Sequence, residues 1–204
     1  MKDYNEFLAT KVRAHEQTGF SVDQSAVNPM LMNWQGAIAD WALNVGRAAI
    51  FADCGMGKTA MQLEWAHHVS LHTSKPVLVV APLAVSQQTV EEGNKFGRPI
   101  QYVREQSAVG SSGLYITNYE MISWFDAAAF GGVVLDESSI LKNFTGATKR
   151  LLLSMFEQTR FKLACTATPA PNDHLELGNH AEFLGVMAPH EMTSRWLVTA
   201  PLKA

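Results

Sequence analysis

From residue 48 onward the chain alternates short apolar runs with longer amphipathic stretches, and few folds accept that rhythm. Apolar runs bounded by turn residues read as strands and the periodic stretches between them as helices. Their regular alternation makes βαβ units and a largely parallel sheet. Strands are predicted at 48–52, 76–81, 100–103, 114–117, 133–136 and 161–166. Helices are predicted at 58–72, 85–96, 119–127 and 147–158, with a further one over 173–187. Ahead of this block Asn28-Pro29 marks a break, and Trp34, Ile38, Trp41, Ala42 and Val45 then recur at the spacing of one helical face. Tyr4, Phe7, Leu8 and Val12 form a similar face within residues 2–17. The expectation is a three-layer α/β domain with a mostly parallel central sheet and a short helical N-terminal segment.

At 204 residues the chain has room for one sizeable core. Its 16 Lys and Arg against 19 Asp and Glu are shared almost evenly between the two halves, which excludes a basic tail. Any nucleic-acid contact must therefore come from a local patch. The longest apolar stretch, 77–85, is too short and too Pro-broken to span a bilayer, and no charged segment leading into an apolar one opens the chain. No membrane partner and a cytoplasmic location are expected. Cys54 and Cys165 lack C-x-x-C spacing and read as small buried residues. The five tryptophans read as packing residues, not base-stacking platforms.

The strongest chemical signal runs from Ala48 to Thr59, where a strand enters a glycine-containing turn that opens a helix. Gly55 and Gly57 permit backbone angles and close approach that a β-carbon would block, so successive N–H groups can point at phosphates from a helix N-terminus. Cys54, Gly55, Met56, Gly57, Lys58, Thr59 and Ala60 would wrap the phosphates of ATP. Lys58 would meet the β and γ phosphates, and the Thr59 hydroxyl would ligate Mg²⁺. In the pattern G-x-x-x-x-G-K-[ST] the first position is here Ala52.

A phosphate loop needs a carboxylate on a neighbouring strand, and Gly131 to Glu137 supplies one. Asp136 would bind Mg²⁺ directly or through water, and Glu137 would orient and deprotonate the attacking water, making Lys58, Asp136 and Glu137 the catalytic set. Thr166 and Thr168 end the last strand on the same sheet edge. They could hydrogen-bond the acid pair or simply satisfy local backbone. His68 and His72 stand at i, i+4 without a third ligand, so exposed helix surface is expected there, not zinc. Lys142, Lys149, Arg150, Arg160 and Lys162 face only Glu157 in sequence, a solvated helix face or a nucleic-acid patch.

Together these elements resemble superfamily 2 helicases and translocases, in particular the Swi/Snf-like and phage DEAD/DEAH-like branches, over residues 28–187. Gln35 looks like the family's adenine-reading glutamine. Ala52 to Thr59 resembles motif I, which in this superfamily commonly starts with Ala. Val79-Val80-Ala81-Pro82 resembles motif Ia and Ile116-Thr117-Asn118-Tyr119-Glu120 the following motif. The resemblance implies that Pro82, Thr117, Asn118 and Lys142 lie on the nucleic-acid side. Asp136 to Asn143 is similar to a Swi/Snf-type motif II, with Ser139 where His often stands. Thr166 to Asn172 resembles motif III, which implies that Thr166 and Thr168 couple hydrolysis to domain movement.

In that family ATP sits between two RecA-like domains, and some thirty residues after motif III are too few for a second sheet. The expected organisation is an N-terminal helical segment at 1–27, a RecA-like ATP-binding domain at 28–187 and the start of a linker at 188–204. The expected function is Mg·ATP binding and hydrolysis as the first motor domain of a helicase or translocase acting on DNA more readily than RNA. A second RecA-like domain, in cis or in trans, would supply an arginine worth ~10³–10⁵ in rate, so turnover without it should be weak. The rival expectation is a catalytically silent nucleotide- or nucleic-acid-binding module in a larger assembly.

Overall fold

The computed structural model describes residues 17–142, 146–172 and 174–196. The helix expected over residues 2–17 and the far end of the linker region lie essentially outside them. Six strands form one sheet: β1 (Arg47–Phe51), β2 (Val77–Ala81), β3 (Ile100–Tyr102), β4 (Leu114–Asn118), β5 (Gly132–Asp136) and β6 (Phe161–Thr166). Their order is β1-β6-β5-β2-β4-β3, and every pairing is parallel. Helices α1 (Asn33–Val45), α2 (Lys58–Thr73) and α3 (Leu83–Lys95) pack on one face; α4 (Gly146–Met155) and α5 (Leu177–Leu184) pack on the other. A last helix, α6 (Pro189–Trp196), follows α5.

A sheet covered on both faces needs strands that are apolar throughout, and β2 is buried at all five positions, as are β4 and β5. Alternate residues feed two cores. Val79, Val134, Leu163 and Cys165 meet Met61, Trp65 and Val69 of α2. Leu78, Val133, Leu135 and Ala164 meet Tyr119, Phe130, Phe156 and Phe183 on the opposite side. Trp65 and Phe156 are fully enclosed, each worth roughly 1.5–3 kcal/mol of burial.

One sequence expectation fails for a local reason. The helix expected at 119–127 is two short 3-10 segments, Tyr119–Trp124 and Ala127–Ala129, because the side chains of Asn118 and Asp126 accept the N–H groups of Met121 and Ala128 and start fresh turns. The helix expected over 173–187 is present, as a 3-10 turn at His174–Glu176 running into α5, which Gly185 stops at φ 70°. Helix α1 turns Gln35, Gly36, Ala39, Ala42 and Leu43 inward, leaving Trp34 and Trp41 37% and 51% exposed. Those two tryptophans and Trp124 lie at the surface of the domain, and Trp65 in its core.

One buried polar cluster pins the N-terminal approach to this body. Glu64, 1% exposed on α2, accepts from the Asn28 N–H at 2.9 Å and from Arg98 Nε at 2.8 Å, and lies 2.9 Å from His68 Nε2. Burial pushes its pKa upward, but hydrogen bonds from His68, Arg98 and Asn28 outweigh that and hold it at about 2. His68 is therefore a buried partner of Glu64, not open surface, while His72 stacks on Phe20 at 3.9 Å. The basic run is likewise committed within the fold: Lys149 pairs with Glu182 at 2.7 Å, Arg160 donates to Thr18 O and the buried Lys162 to Phe183 O.

Candidate functional site: a phosphate loop facing two acids

Parallel strands bring their carboxyl ends to one edge, and the site is assembled there. Strand β1 ends at Phe51, the chain turns through Ala52–Gly57, and α2 starts at Lys58 with Gly57 as its left-handed cap (φ 73°, ψ 34°). Gly55 also has positive φ, 78°. At Gly57 a second constraint acts, since a β-carbon there would collide with the amide nitrogen of Gln35. Gln35 enters from the first turn of α1, accepts the Met32 N–H at 2.9 Å and donates to Met56 O at 3.2 Å. The expected adenine reader thus braces the loop itself. Lys58 Nζ donates to Ala52 O and Asp53 O, at 2.9 and 3.2 Å, which holds the ammonium at the mouth of the loop. Cys54 is exposed within this turn and is not the buried residue expected, whereas Cys165 is buried in β6.

The acids stand at the end of β5. Asp136 is 7% exposed, and its pKa is raised to about 6, first by burial and then by the neighbouring Glu137. Gln62, the Glu137 N–H and Lys58 pull it the other way. The Gln62 amide is close enough to draw the pKa down, yet no oriented hydrogen bond joins it to the carboxyl. Tyr119, fully buried, donates its hydroxyl to Asp136 O at 2.7 Å and fixes the backbone at this point. Glu137 follows in the left-handed region, φ 50°, a conformation unusual for a residue with a long side chain. Thr166 Oγ1 donates to Glu137 Oε2 at 3.4 Å, and the Thr168 N–H donates to Thr166 Oγ1 at 3.1 Å. Thr166 therefore touches the acid pair, whereas the exposed Thr168 reaches it only through its backbone.

A carboxyl buried beside a second acid and a threonine hydroxyl at the first turn of α2, Thr59, are donors of the kind that Mg²⁺ uses sparingly beside phosphate oxygens. The residues present fit magnesium. Two open cavities of about 870 and 940 Å³ lie at the other end of the sheet, around Gly131 and Phe161 and around Arg47 and Lys162. Their walls carry none of the chemistry above.

The residues expected on a nucleic-acid side divide. Pro82 caps α3 at the same sheet edge. Thr117 is fully buried, and Asn118, 3% exposed, uses its amide on Tyr102 and Met121, so neither side chain is displayed to a ligand. The two residues build the end of β4. The side chain of Lys142 lies outside the described residues. Tyr119, Gln62 and His180, whose Nε2–H donates to Pro169 O at 3.1 Å, were not anticipated. Only Gln62 had a readable signal, its place one helical turn beyond Lys58.

A RecA-like P-loop domain is the class that this sheet order, loop and acid pair define. Within that class the fold is that of superfamily 2 helicase and SWI2/SNF2 ATPase cores. The SWI2/SNF2 ATPase core of Sulfolobus solfataricus, solved in complex with dsDNA, superposes with a TM-score of 0.72 at 18% identity over 87% of this chain and 41% of that one. Protein p41 of Acyrthosiphon pisum secondary endosymbiont phage 1 is 28% identical over 193 residues, 80% of this chain and 42% of its own length. Helicase SWR1 of Debaryomyces hansenii is 27% identical over 173 residues, 75% of this chain and 10% of that protein. The chain spans less than half the length of each of these relatives. No protein-family model matches it. Among the described residues no helix is long and apolar enough to cross a membrane.

Proposed function

We propose that this chain is the Mg·ATP-binding and hydrolysing motor domain of a cytoplasmic DNA helicase or translocase. The observation that carries the reading is the convergence of Lys58, the Gly55–Gly57 turn, Asp136, Glu137 and Thr166 on one sheet edge. N–H groups at the start of α2 cradle the phosphates, and Lys58 exchanges its two carbonyl partners for phosphate oxygens. Thr59 and Asp136 hold the magnesium ion, which supplies charge neutralisation at the phosphates. Glu137 orients water and takes its proton, and Thr166, on its carboxylate, reports the state of that site to the loop after β6. Domains of this fold bind nucleic acid across their carboxyl edge with a second RecA-like domain, here in the same polypeptide or on a partner. The dsDNA complex of the Sulfolobus core favours DNA.

The test is titration of a fluorescent ATP analogue with Mg²⁺ against wild type and Lys58→Ala, followed by phosphate release with and without single- and double-stranded DNA. Binding that Lys58→Ala abolishes, with slow release that a second RecA-like domain accelerates, is the expected result. Binding indifferent to Lys58 would overturn the reading.

A further inference from the structure

Beneath the phosphate loop lies a polar side chain that the mechanism above does not use. Gln62 is fully buried on α2, yet neither its Nε2 nor its Oε1 has a hydrogen-bond partner. Buried amides are normally paired, because water no longer satisfies them, and leucine or methionine would fill the same space without that demand. Its position gives the amide a purpose. Lys58 and Gln62 are four residues apart on one helix, so both side chains leave the same face, and Val69, two turns beyond Gln62 on that face, lies against Gly132 at the start of β5. The buried Gln62 is thereby set toward the other end of that strand, where Asp136 is buried.

We propose that Gln62 is a positioning residue of the metal site, its side-chain N–H₂ group holding the Asp136 carboxylate in the orientation that receives magnesium. The inference rests on the Mg·ATP reading of this edge. A carboxylate offers about four lone-pair sites, and at Asp136 the backbone N–H of Glu137 takes one, at 3.1 Å on Oδ1. Gln62 has two donors to spare for the rest. Groups that orient a metal ligand from behind change metal affinity by about 10–100-fold when removed.

Gln62→Met tests this, because it keeps the length of the side chain and removes only the amide. Three quantities are read on wild type and variant: thermal melting, affinity for a fluorescent ATP analogue in EDTA, and the Mg²⁺ concentration giving half-maximal tightening. The expected result is a melting temperature equal to wild type or higher, metal-free affinity unchanged, and a Mg²⁺ midpoint raised about tenfold or more. A midpoint equal to wild type overturns the inference, as does a lowered melting temperature with the midpoint unmoved, which would make Gln62 purely structural. Should Gln62→Met fail to fold, Gln62→Asn retains the amide one carbon further back and is expected to raise the midpoint by a smaller factor. An unchanged midpoint there is equally fatal. Wild type that shows no magnesium-dependent affinity removes the Mg·ATP reading itself, and the Gln62 inference with it.

Discussion

Replacing Glu137 with asparagine should make the protein more stable and inactive at once. Glu137 holds φ at 50°, where an L residue with a long side chain costs roughly 1–2 kcal/mol and asparagine considerably less. The chain is forced there from both sides. Tyr119 grips Asp136 O, the Glu137 N–H turns back to Asp136 Oδ1, and the Ile140 N–H returns to Glu137 O at 3.0 Å. A second destabilising contribution is charge. Asp136 is raised from 3.8 to about 6, with burial the larger cause and Glu137 the next, so removing the Glu137 charge should relieve on the order of 1 kcal/mol at neutral pH. Against this stands one long hydrogen bond, Thr166 Oγ1 to Glu137 Oε2 at 3.4 Å, worth less than about 0.5 kcal/mol.

The net expectation for Glu137→Asn is about 1–2 kcal/mol of added stability, a rise in Tm of roughly 2–8 °C for a domain of this size. Glu137→Gln removes the charge and keeps the strain, and should gain about half as much. Calorimetry of the three proteins at pH 7.5 separates the two contributions, and phosphate release should vanish in both variants. Equal melting of Asn and Gln variants would show that no backbone strain is stored at Glu137. Both melting below wild type would refute the whole argument.

Asp136→Asn should also stabilise, with a pH signature. Because the folded pKa of about 6 lies above the unfolded value, wild type is best placed below about pH 4 and loses ground as pH rises through 6. The advantage of Asp136→Asn in unfolding free energy should therefore grow between pH 4 and 7 to ~3 kcal/mol, read by urea unfolding, and an advantage that shrinks would contradict the burial of this carboxyl. Glu64→Ala should cost about 3–5 kcal/mol by stranding Arg98, measured by urea unfolding. Here the folded pKa of about 2 lies below the unfolded one, so the loss is full above about pH 4.5 and fades as pH falls toward 2. Maleimide should label the exposed Cys54 and leave the enclosed Cys165 untouched; labelling should block ATP binding and bound ATP should slow labelling, as mass spectrometry and a nucleotide titration would reveal.

Much of the architecture could be read from the residues because the sheet is covered on both faces. Continuous apolar runs such as Val77–Ala81 admit few readings, and all six strands lie within a residue or so of their expected bounds. On α1 periodicity identified the helix and, in Ile38, Ala42 and Val45, part of the side that packs on the core. It missed Gln35, Gly36, Ala39 and Leu43, which also turn inward, while Trp34 and Trp41 stay exposed. Loop chemistry defeated it altogether at Tyr119–Trp124, where a single Asn118 cap redirected an apparently helical stretch.

At the site the sequence pointed to the residues that meet at this sheet edge but not to their condition. Nothing in the letters Asp-Glu announces a left-handed Glu137, and nothing in Lys-Thr-Ala-Met-Gln announces an unpaired Gln62 in the core. Both depend on the meeting of α2, β5 and the Tyr119 turn, elements distant in sequence. A comparison of the two buried acids shows what that meeting selects. Glu64 is given every partner it needs, its pKa falls to about 2, and it serves the fold. Asp136 is left under-partnered beside a second carboxylate, its pKa rises to about 6, and the fold bears a standing penalty for it. Such a penalty persists where something outside the chain can relieve it, and a divalent cation bound with phosphate would do so at Asp136 and nowhere near Glu64.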